Sequence, residues 1–381
     1  MKNKGKKSPE ISIILPCRNE EKALPLCLKE IKEVIIKNKL SAEIIVSDSS
    51  TDSSPKIATK NKVILVKHDK EGYGNAYLEA YNVSKGKYIF MADADCTYDF
   101  NEIPRFINEL KNGSDFIIGN RFSKKIQKES MSFSHRYIGN PILSGILRLF
   151  FGTKLKDAHS GMRAISKEAL NKLNLKTTGM EFASEMIIKA LKNNLKIKEL
   201  PINYRKRQGM SKLNSFRDAW RHLRFMLLYS PLFLFFIPGI FLFFIGLSTL
   251  IWFYLSEPTI LGIKLFYHPM FFSSLLTIIG YQLIIFSAFA KSYSITHLEE
   301  HSPIMEKLYK YITIEKASII GIIGSLIGIS LYAFIIYKWL NSGFGSLNEI
   351  KNSILALTLT VIGVQTIFSS FMLSILGIKE K

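Results

Sequence analysis

The feature that most constrains this 381-residue chain is the strongly apolar sequence that follows Leu227. It contains four long apolar runs, each close to the ~20 residues that a helix needs to cross ~30 Å of hydrocarbon. The composition also indicates two parts, because 48% hydrophobic residues coexist with 22% charged ones. We therefore predict a polar N-terminal part and then a four-helix transmembrane domain over residues 227–381, with spans at 228–255, 269–290, 317–340 and 353–377.

The positive charges that flank the apolar runs predict an orientation. Lys and Arg are enriched in short cytoplasmic loops. Lysines and arginines cluster before the first run and between the second and third, at Lys212, Arg217, Arg221, Arg224, Lys291, Lys307, Lys310 and Lys316. The opposite loops carry mainly Lys264 and Lys351. This asymmetry predicts a multi-pass cell-membrane protein whose N-terminal domain and both termini are cytoplasmic.

The overall charge and the cysteines exclude two other classes. A formal charge of +20 would suit nucleic-acid phosphates, but the cations cluster beside the spans, where they face anionic lipid, so we expect no nucleic-acid partner. The three cysteines, Cys17, Cys27 and Cys96, are too few and too scattered for a disulfide framework or a zinc site. Both observations fit a membrane protein with a domain in a reducing cytoplasm.

The first 226 residues alternate β-branched runs with helical patterns, which predicts an α/β fold with a mostly parallel sheet. Apolar residues recur at helical spacing from Leu24 to Ile35, and further helices are predicted around residues 75–84 and 101–112. The predicted strands are ISIILP (11–16), AEIIVSD (42–48), VILVKH (63–68), KYIFMAD (87–93) and DFIIGN (115–120).

Polar side chains follow most of these strands, at the edge of an open α/β sheet where ligands bind. The candidates are Pro16, Arg18, Asn19, Glu20, Asp48, Ser49, Ser50, Asp52, Asp93, Asp95 and Arg121. Each motif alone also has a structural interpretation. SDSSTDSS (47–54) suits a turn with a helix cap, and EGYGNA (71–76) suits a loop before a helix. Their shared location is what predicts a binding site.

The segment DAD (93–95) places two carboxylates two residues apart, where they repel each other. A hard divalent cation such as Mg²⁺ takes one or two carboxylates together with substrate phosphate oxygens. Such a cation would neutralise the pair and the charge that grows on a leaving diphosphate. The alternative is an aspartate pair that caps the following helix.

Several blocks in order make the chain resemble the inverting family-2 glycosyltransferases with a GT-A fold, which have a Rossmann-like sheet. The resemblance covers residues 10 to 226 and is closest to polyprenyl-phosphate sugar synthases of the dolichyl-phosphate-glucose-synthetase-like subgroup. It implies transfer of one hexose, such as glucose from UDP-glucose, to polyprenyl phosphate, with Mg²⁺ or Mn²⁺. The matching blocks are LPCRNE, SDSSTD, DADCTYD, GNRF, HRYIGNP, DAHSGMRA, GMEFASEM and SFRDAWRHLRFMLLYSP.

The resemblance implies roles on the nucleotide-sugar side of the site. Asp48 corresponds to the base-contacting aspartate, and Asp95 to the better metal ligand of the pair, with Asp93 closer to the ribose or diphosphate. Thr97 stands where related enzymes carry a metal-holding Gln. The nucleobase pocket corresponds to Pro16, Arg18 and Glu20, and the basic loop over the diphosphate to Arg205, Arg207 and Lys212.

On the acceptor side, Arg121 and Arg136 correspond to arginines that hold phosphate near the reaction centre. Because the acceptor phosphate is already anionic, attack on the anomeric carbon needs no general base. We therefore expect structural roles for His135 and His159. Residues expected to orient sugar hydroxyls or the arginines are Asp157, Glu181 and Glu185.

Two apolar stretches are predicted to lie at the membrane interface. PILSGILRLFFG (141–152) is too short to span, and residues 211–226 form an amphipathic helix with Leu213, Phe216 and Trp220 on its apolar face. The alternative places both in the core of the N-terminal domain. We predict a glycosyltransferase domain over 1–210, the interfacial helix over 211–226 and the spans after it.

Three other functions stay open, as does homo-oligomer formation. A processive polysaccharide synthase would share the nucleotide site, although its Gln-X-X-Arg-Trp signature is absent from this sequence. A non-catalytic membrane scaffold would bind no nucleotide sugar. A lipid-handling protein that uses the spans alone would not need residues 1–210.

Overall fold

The computed structural model describes residues 8–124, 126–127, 130–209, 215–260, 262–297 and 314–377. The chain divides into two compact units, one ending at Tyr229 and the other beginning at Ser230. The predicted residues Lys212 and Leu213, and the tail Lys379 to Lys381, lie outside the described part of the chain.

The first unit is built on a seven-stranded sheet with the order β3-β2-β1-β4-β6-β5-β7. Only β6 is antiparallel to its neighbours, β4 and β5, so the prediction of a mostly parallel α/β sheet is confirmed. The strands are β1 (Ile11–Cys17), β2 (Ala42–Asp48), β3 (Ile64–Lys67), β4 (Tyr88–Met91), β5 (Phe116–Asn120), β6 (Arg163–Ser166) and β7 (Ile197–Pro201).

Helices cover both faces of the sheet. Alternate residues of β1 explain this, because Ile13 packs in one apolar cluster with α1 and α4, and Ile14 packs in the other with α3 and α7. The helices of this unit are α1 (Leu24–Lys37), α2 (Ser54–Lys60), α3 (Tyr73–Val83), α4 (Ile103–Lys111), α5 (Asn140–Phe151), α6 (Lys167–Leu173), α7 (Phe182–Lys192) and α8 (Ser215–Leu228).

The two stretches predicted for the membrane interface are helices with two different sides. In α5, Leu143 and Leu147 are buried in the second apolar cluster, whereas Ile142 and Leu149 are exposed. In α8, Phe225 and Met226 join the same cluster, and Phe216 and Trp220 are exposed. Each helix therefore contributes one face to the core and keeps a second apolar face uncovered within the described part of this unit.

Among its described residues, the second unit contains four helices long and apolar enough to cross a membrane, as predicted. They are α9 (Ile237–Leu255), preceded by a π-helical turn (Leu232–Phe236), α10 (His268–His297), α11 (Ile314–Asn341) and α12 (Ile350–Gly377), with a hairpin of β8 (Thr259–Ile260) and β9 (Ile263–Lys264). Glycines let the helices approach closely, because a Cβ on Gly246 would lie 2.5 Å from the Thr277 nitrogen. The first span begins at Leu232, four residues later than predicted.

Candidate active site

The loops after β1 and β2 are joined by hydrogen bonds and form one wall of the site. The Asn19 amide donates to Ser50 Oγ at 2.7 Å, and Asn19 Oδ1 accepts from the Thr51 amide at 2.8 Å. Asn19 has φ of +54°, a left-handed conformation that asparagine tolerates. The two loops therefore hold a fixed shape beside the predicted nucleobase residues.

The side chains predicted for the nucleobase pocket lie along this wall. The Asp48 carboxylate is fully buried and accepts hydrogen bonds from Ser50 Oγ at 2.6 Å and the Ser50 amide at 3.3 Å. Pro16 is the penultimate residue of β1, whereas Arg18 is exposed and pairs with Glu71 at 2.6 Å. The turn interpretation of SDSSTDSS agrees with these hydrogen bonds, since Asp48 organises the turn. The role of these side chains in base contact stays a prediction.

Asp95 lies in a tight turn directly after β4. Its Oδ1 accepts from Thr97 Oγ1 at 2.6 Å and from the Thr97 amide at 3.1 Å. Its Oδ2 lies 3.5 Å from Arg207 Nη1, and Arg207 Nη2 donates to Glu20 Oε1 at 2.6 Å. The Arg207 guanidinium is therefore a positive charge that sits between the predicted metal ligand and the predicted nucleobase wall.

Asp93 has the electrostatic signature of two carboxylates held together. Burial, and then the charge of Asp95, raise the pKa of Asp93 to about 7, against the lowering effects of Arg207, Arg121 and a hydrogen bond from Tyr73. Gly161 makes room for this carboxylate, because a Cβ there would lie 2.6 Å from Asp93 Oδ2. The charge of Asp95 therefore acts on Asp93, as expected for two carboxylates in one short turn.

Arg121 is held by Asp157 in a buried, bidentate ion pair. Arg121 Nε and Nη2 each donate to Asp157 at 2.8 Å, and the Arg121 amide donates at 2.9 Å. Burial alone lowers the pKa of Arg121, but the Asp157 carboxylate raises it well above its ordinary value. The guanidinium also lies 5.4 Å from the ring centre of Tyr204, in the segment that carries Arg207.

The remaining predicted cations are placed differently. Arg205 pairs with Glu30 at 3.0 Å and with Asp99 at 2.7 Å, so it fastens its segment to α1. Arg136 lies in the π-helical turn before α5, with its guanidinium 5.3 Å from the Tyr137 ring centre, and it forms no ion pair with any residue described. Among the predicted cations, Arg207 and Arg121 are the ones whose charges lower the pKa of Asp93.

The two predicted glutamates differ in what their oxygens contact. Glu185 accepts hydrogen bonds from the amides of Lys176 and Thr177 and from Thr177 Oγ1, and it pairs with Lys189 at 2.7 Å. Its contacts therefore serve the loop before α7. Glu181 Oε2 is buried and, within the described ranges, has no hydrogen-bond partner, which leaves that oxygen available for a donor.

Other residues of the site were not predicted. Arg163 is fully buried and donates to the carbonyl oxygens of Ser160 at 2.8 Å, Ala183 at 2.9 Å and Ala158 at 3.0 Å. It thereby ties the turn before β6 to the start of α7. Tyr98 supports the same turn, since its hydroxyl accepts from the Gly161 amide at 2.7 Å. The quoted blocks DADCTYD and DAHSGMRA contain these residues, but only the fold shows that they meet.

The two histidines near this turn are structural. His159 Nε2 lies 3.3 Å from Ser184 Oγ, which also lies 2.9 Å from His222 Nδ1 of α8. Burial, and then the charge of Arg163, lower the pKa of His222 to about 4, and burial and His222 lower that of His159 well below its ordinary value. Both rings are therefore neutral at neutral pH, as hydrogen-bonding groups between α7 and α8.

The acidic pair fits a divalent cation that the substrate helps to ligate. Within the described ranges, no group of three or more His, Cys, Asp or Glu residues could hold a metal alone. Two carboxylates fall short of the six oxygens that Mg²⁺ requires, so phosphate and water would complete the shell. The raised pKa of Asp93, which the charges of Arg207 and Arg121 offset only in part, is the observation that favours a cation here. Thr97 donates its hydroxyl to Asp95, so it orients this ligand.

This α/β unit with its acidic pair, followed by four spanning helices, defines a glycosyltransferase with a transmembrane region. The family model "Glycosyl transferase family 2" matches residues 12–173, and "Glycosyltransferase family 2 C-terminal transmembrane region" matches residues 288–377. The chain belongs to glycosyl transferase family 2. It is 39% identical, over 97% of its length and 90% of the relative's, to the low-salt glycan biosynthesis hexosyltransferase Agl6 of Haloferax volcanii.

A second relative and a solved structure are more distant. The chain is 28% identical to the dolichyl-phosphate hexose transferase of the same organism, over 54% of this chain and 88% of that protein. Glucosyl-3-phosphoglycerate synthase from Mycobacterium tuberculosis is similar with a TM-score of 0.48 and 18% identity, over 58% of this chain and 80% of the other. The family models and the relatives named as hexose transferases confirm the predicted family and the prediction of an enzyme.

Proposed function

We propose that the protein transfers a single hexose, such as glucose, from a nucleoside diphosphate sugar to a polyprenyl phosphate at the cytoplasmic face of the membrane, with inversion. Relatives named as a hexosyltransferase and a dolichyl-phosphate hexose transferase support the sugar class and the acceptor class. The observation that carries the proposal is the grouping of Asp93 and Asp95 with Arg207 and Arg121, whose charges act on Asp93. This arrangement suits a diphosphate that leaves while a second phosphate attacks.

The donor would lie along the wall formed by the loops after β1 and β2. Asp48 and Pro16 would contact the base, with Arg18 and Glu20 at its edge. Arg207 would release Glu20 and contact the diphosphate, because a diphosphate offers more acceptor oxygens than one carboxylate. Asp95 and Asp93 would hold a divalent cation, Mg²⁺ or Mn²⁺, which would supply neutralising charge for the leaving diphosphate. Arg205 and Lys212 would add positive charge to the basic loop over the diphosphate.

The acceptor would lie on the Arg121 side. Asp157 fixes the Arg121 guanidinium with two parallel hydrogen bonds, which leaves its remaining donor edge in one orientation for phosphate. Arg136 would bind the same phosphate from the turn before α5. Glu181 would accept a hydrogen bond from a sugar hydroxyl. The attacking oxygen is already anionic, so orientation and charge stabilisation suffice, and no side chain needs to remove a proton.

A transfer assay tests the proposal. Purified full-length protein in lipid bilayers is given polyprenyl phosphate and, one at a time, labelled UDP and GDP hexoses with Mg²⁺ or Mn²⁺. We expect label from one donor to enter the organic phase, and chelation to abolish the transfer. No transfer from any donor would refute the enzyme proposal, and formation of long polymers would indicate a processive synthase.

Matched variants locate the chemistry. Asp95→Asn removes one charge with little change in shape and should lower transfer by about 100-fold or more, as expected for loss of a metal ligand's charge. Asp115→Asn makes the same change of charge just before β5, at the end of that strand opposite Arg121. There, Asp115 Oδ2 accepts a hydrogen bond from the Lys196 amide. It should retain transfer within about twofold. Equal losses in both variants would argue against a site at the acidic pair.

A further inference from the structure

Two of the three cysteines lie close together beside the acidic pair. Cys27 Sγ and Cys96 Sγ are 3.4 Å apart, although 69 positions separate them in sequence. Cys27 lies on α1 and is fully buried, whereas Cys96 is partly exposed. A small oxidant can therefore reach Cys96, and Cys27 is placed to react next.

Cys96 is the residue directly after Asp95. Its backbone has φ of +64°, a left-handed conformation that costs a non-glycine residue energy. Hydrogen bonds hold this turn in place: Thr97 donates to Asp95 Oδ1, the Gln208 amide donates to the Asp95 carbonyl at 2.9 Å, and the Arg205 amide donates to the Thr97 carbonyl at 2.8 Å. Ala94 and Tyr98 also anchor the turn in the core, so Cys96 is its one partly exposed residue between them. By contrast, α1 is fixed by a continuous apolar face that includes Leu24, Leu28 and Ile31.

We propose that Cys27 and Cys96 are a reversible oxidation site whose disulfide displaces Asp95 and so weakens binding of the metal and nucleotide. The metal-binding half of this inference rests on the proposed function. The co-reactant is a low-molecular-weight disulfide. The Cys96 sulfur attacks it, a mixed disulfide forms and one thiol leaves; the Cys27 sulfur then attacks Cys96 Sγ and expels the second thiol. Two protein thiols are oxidised to one disulfide while one small disulfide is reduced to two thiols.

The geometry explains why oxidation would disturb the site. A disulfide brings its sulfurs to about 2.05 Å, so these two must approach by more than ~1 Å. Packed helices resist such a shift, because the interior has few voids to absorb it. The turn that carries Asp95 is the part able to move. A displacement of this size is large for a metal ligand, whose distances must hold within about 0.2 Å.

The test uses the full chain in detergent, oxidised with glutathione disulfide and then freed of it. We expect the count of free thiols to fall from three, the number in the sequence, to one, with a Cys27–Cys96 cross-link in peptide mass spectra. Binding of Mn²⁺ with UDP or GDP, followed by electron paramagnetic resonance, should weaken at least about tenfold and recover with dithiothreitol. Cys17→Ala should keep this response, and Cys96→Ala should lose it. Cys27→Ala should stop at the mixed disulfide, which the same mass spectra would show as a glutathione adduct on Cys96 and no cross-link.

Other outcomes would overturn the inference. Three free thiols after oxidation would exclude the pair as an oxidation site, and a mapped disulfide with unchanged Mn²⁺ binding would exclude the effect on Asp95. Amide hydrogen exchange of residues 92–99, compared between the oxidised and reduced chains, gives a readout that needs no ligand. If the reduced chain binds no nucleotide, the proposed function fails. In that case the inference is tested by exchange alone. It is refuted if the Cys27–Cys96 disulfide forms but amide hydrogen exchange of residues 92–99 does not change.

Discussion

Asp157 and Arg121 show how a single carboxylate fixes one guanidinium of the candidate site. The Asp157→Asn variant would leave a buried guanidinium without its counter-charge, which costs about 3–5 kcal/mol when one partner of a buried pair is removed. We expect a lower midpoint of thermal unfolding for the N-terminal unit, and a transfer rate reduced further than this loss of folded protein explains. Thermal denaturation and transfer at a temperature where the variant is folded measure the two effects.

The exposed pair of Lys172 and Glu168 provides the control. These side chains are 2.9 Å apart on α6 but largely in solvent, where ion pairs contribute little. Glu168→Gln should therefore change neither the unfolding midpoint nor the transfer rate measurably. If Asp157→Asn also leaves both quantities unchanged, neither the stability nor the transfer rate depends on the carboxylate that holds Arg121.

Gly161 is a second residue whose role follows from atomic distances. Gly161→Ala would place a methyl group 2.6 Å from Asp93 Oδ2, so this carboxylate must move. We expect affinity for Mn²⁺ with a nucleoside diphosphate to fall roughly tenfold or more, as is usual when residues that support a metal ligand are altered. Gly145→Ala is the matched control, because its methyl group would meet nothing closer than Arg148 Nη2 at 3.7 Å. Equal affinities in both variants would contradict this account of Gly161.

At the residue scale, the sequence alone identified the charged groups but not their partners. Asp93, Asp95 and Arg121 follow strands that are evident from their apolar runs, so their meeting at one edge of the sheet could be predicted. The contact of Arg207 with Glu20 joins residues 187 positions apart, and that of Arg121 with Asp157 joins residues 36 apart. No local pattern encodes such pairs, because they depend on how the loops close.

At the scale of elements, α8 is attached to the N-terminal unit by neutral histidines, which predicts a dependence on pH. His222 has a pKa near 4 in the folded chain and an ordinary value of 6.5, so the unfolded chain binds more protons between these values. Its contribution is full above pH 6.5 and is lost as the pH falls toward 4, by up to about 3 kcal/mol. We expect the unfolding midpoint to drop between pH 7 and pH 5.

A substitution separates this effect from general acid sensitivity. His222→Gln keeps a polar side chain but cannot be protonated, so its unfolding midpoint should fall less between pH 7 and pH 5 than that of the native chain. His135→Gln makes the same change outside this cluster and should keep the full dependence. Calorimetry of the detergent-solubilised chain at both pH values measures it. Parallel slopes for His222→Gln and the native chain would contradict the prediction.

The elements that were missed share a physical cause. β6 has four residues, RAIS, and it is antiparallel to both β4 and β5. Its place therefore depends on partners 72 to 78 positions away in β4 and 45 to 49 positions away in β5. A run this short carries no readable periodicity. The long runs of β1 and β2, and the four apolar helices, were predictable because burial on both faces or in lipid requires continuous apolar sequence.

At the scale of the whole molecule, the uncovered apolar faces of α5 and α8 predict how the enzyme meets a lipid acceptor. Phe216 is 86% exposed and Trp220 is 53% exposed, and Arg217 and Arg224 are also exposed on this helix. Apolar side chains beside cations are typical of helices that lie in the headgroup region. The turn that carries Arg136 contacts α8, so insertion of these two rings would bring Arg136 toward phosphates in the headgroup region.

The prediction concerns two acceptors of different length. In bilayers, the double variant Phe216→Ser, Trp220→Ser should lower kcat/KM for a long polyprenyl phosphate by about tenfold or more. Complete burial of one such ring is worth about 1.5–3 kcal/mol, and about 1.4 kcal/mol corresponds to tenfold, so partial burial of both rings suffices. For a short, water-soluble prenyl phosphate the value should stay within about twofold, since no membrane contact is required. Ile36→Ser removes a side chain that is 76% exposed on α1 and should affect neither acceptor. Equal losses on both acceptors would mean that the rings stabilise the catalytic unit itself, because only a contact with the bilayer distinguishes a lipid-borne phosphate from a soluble one.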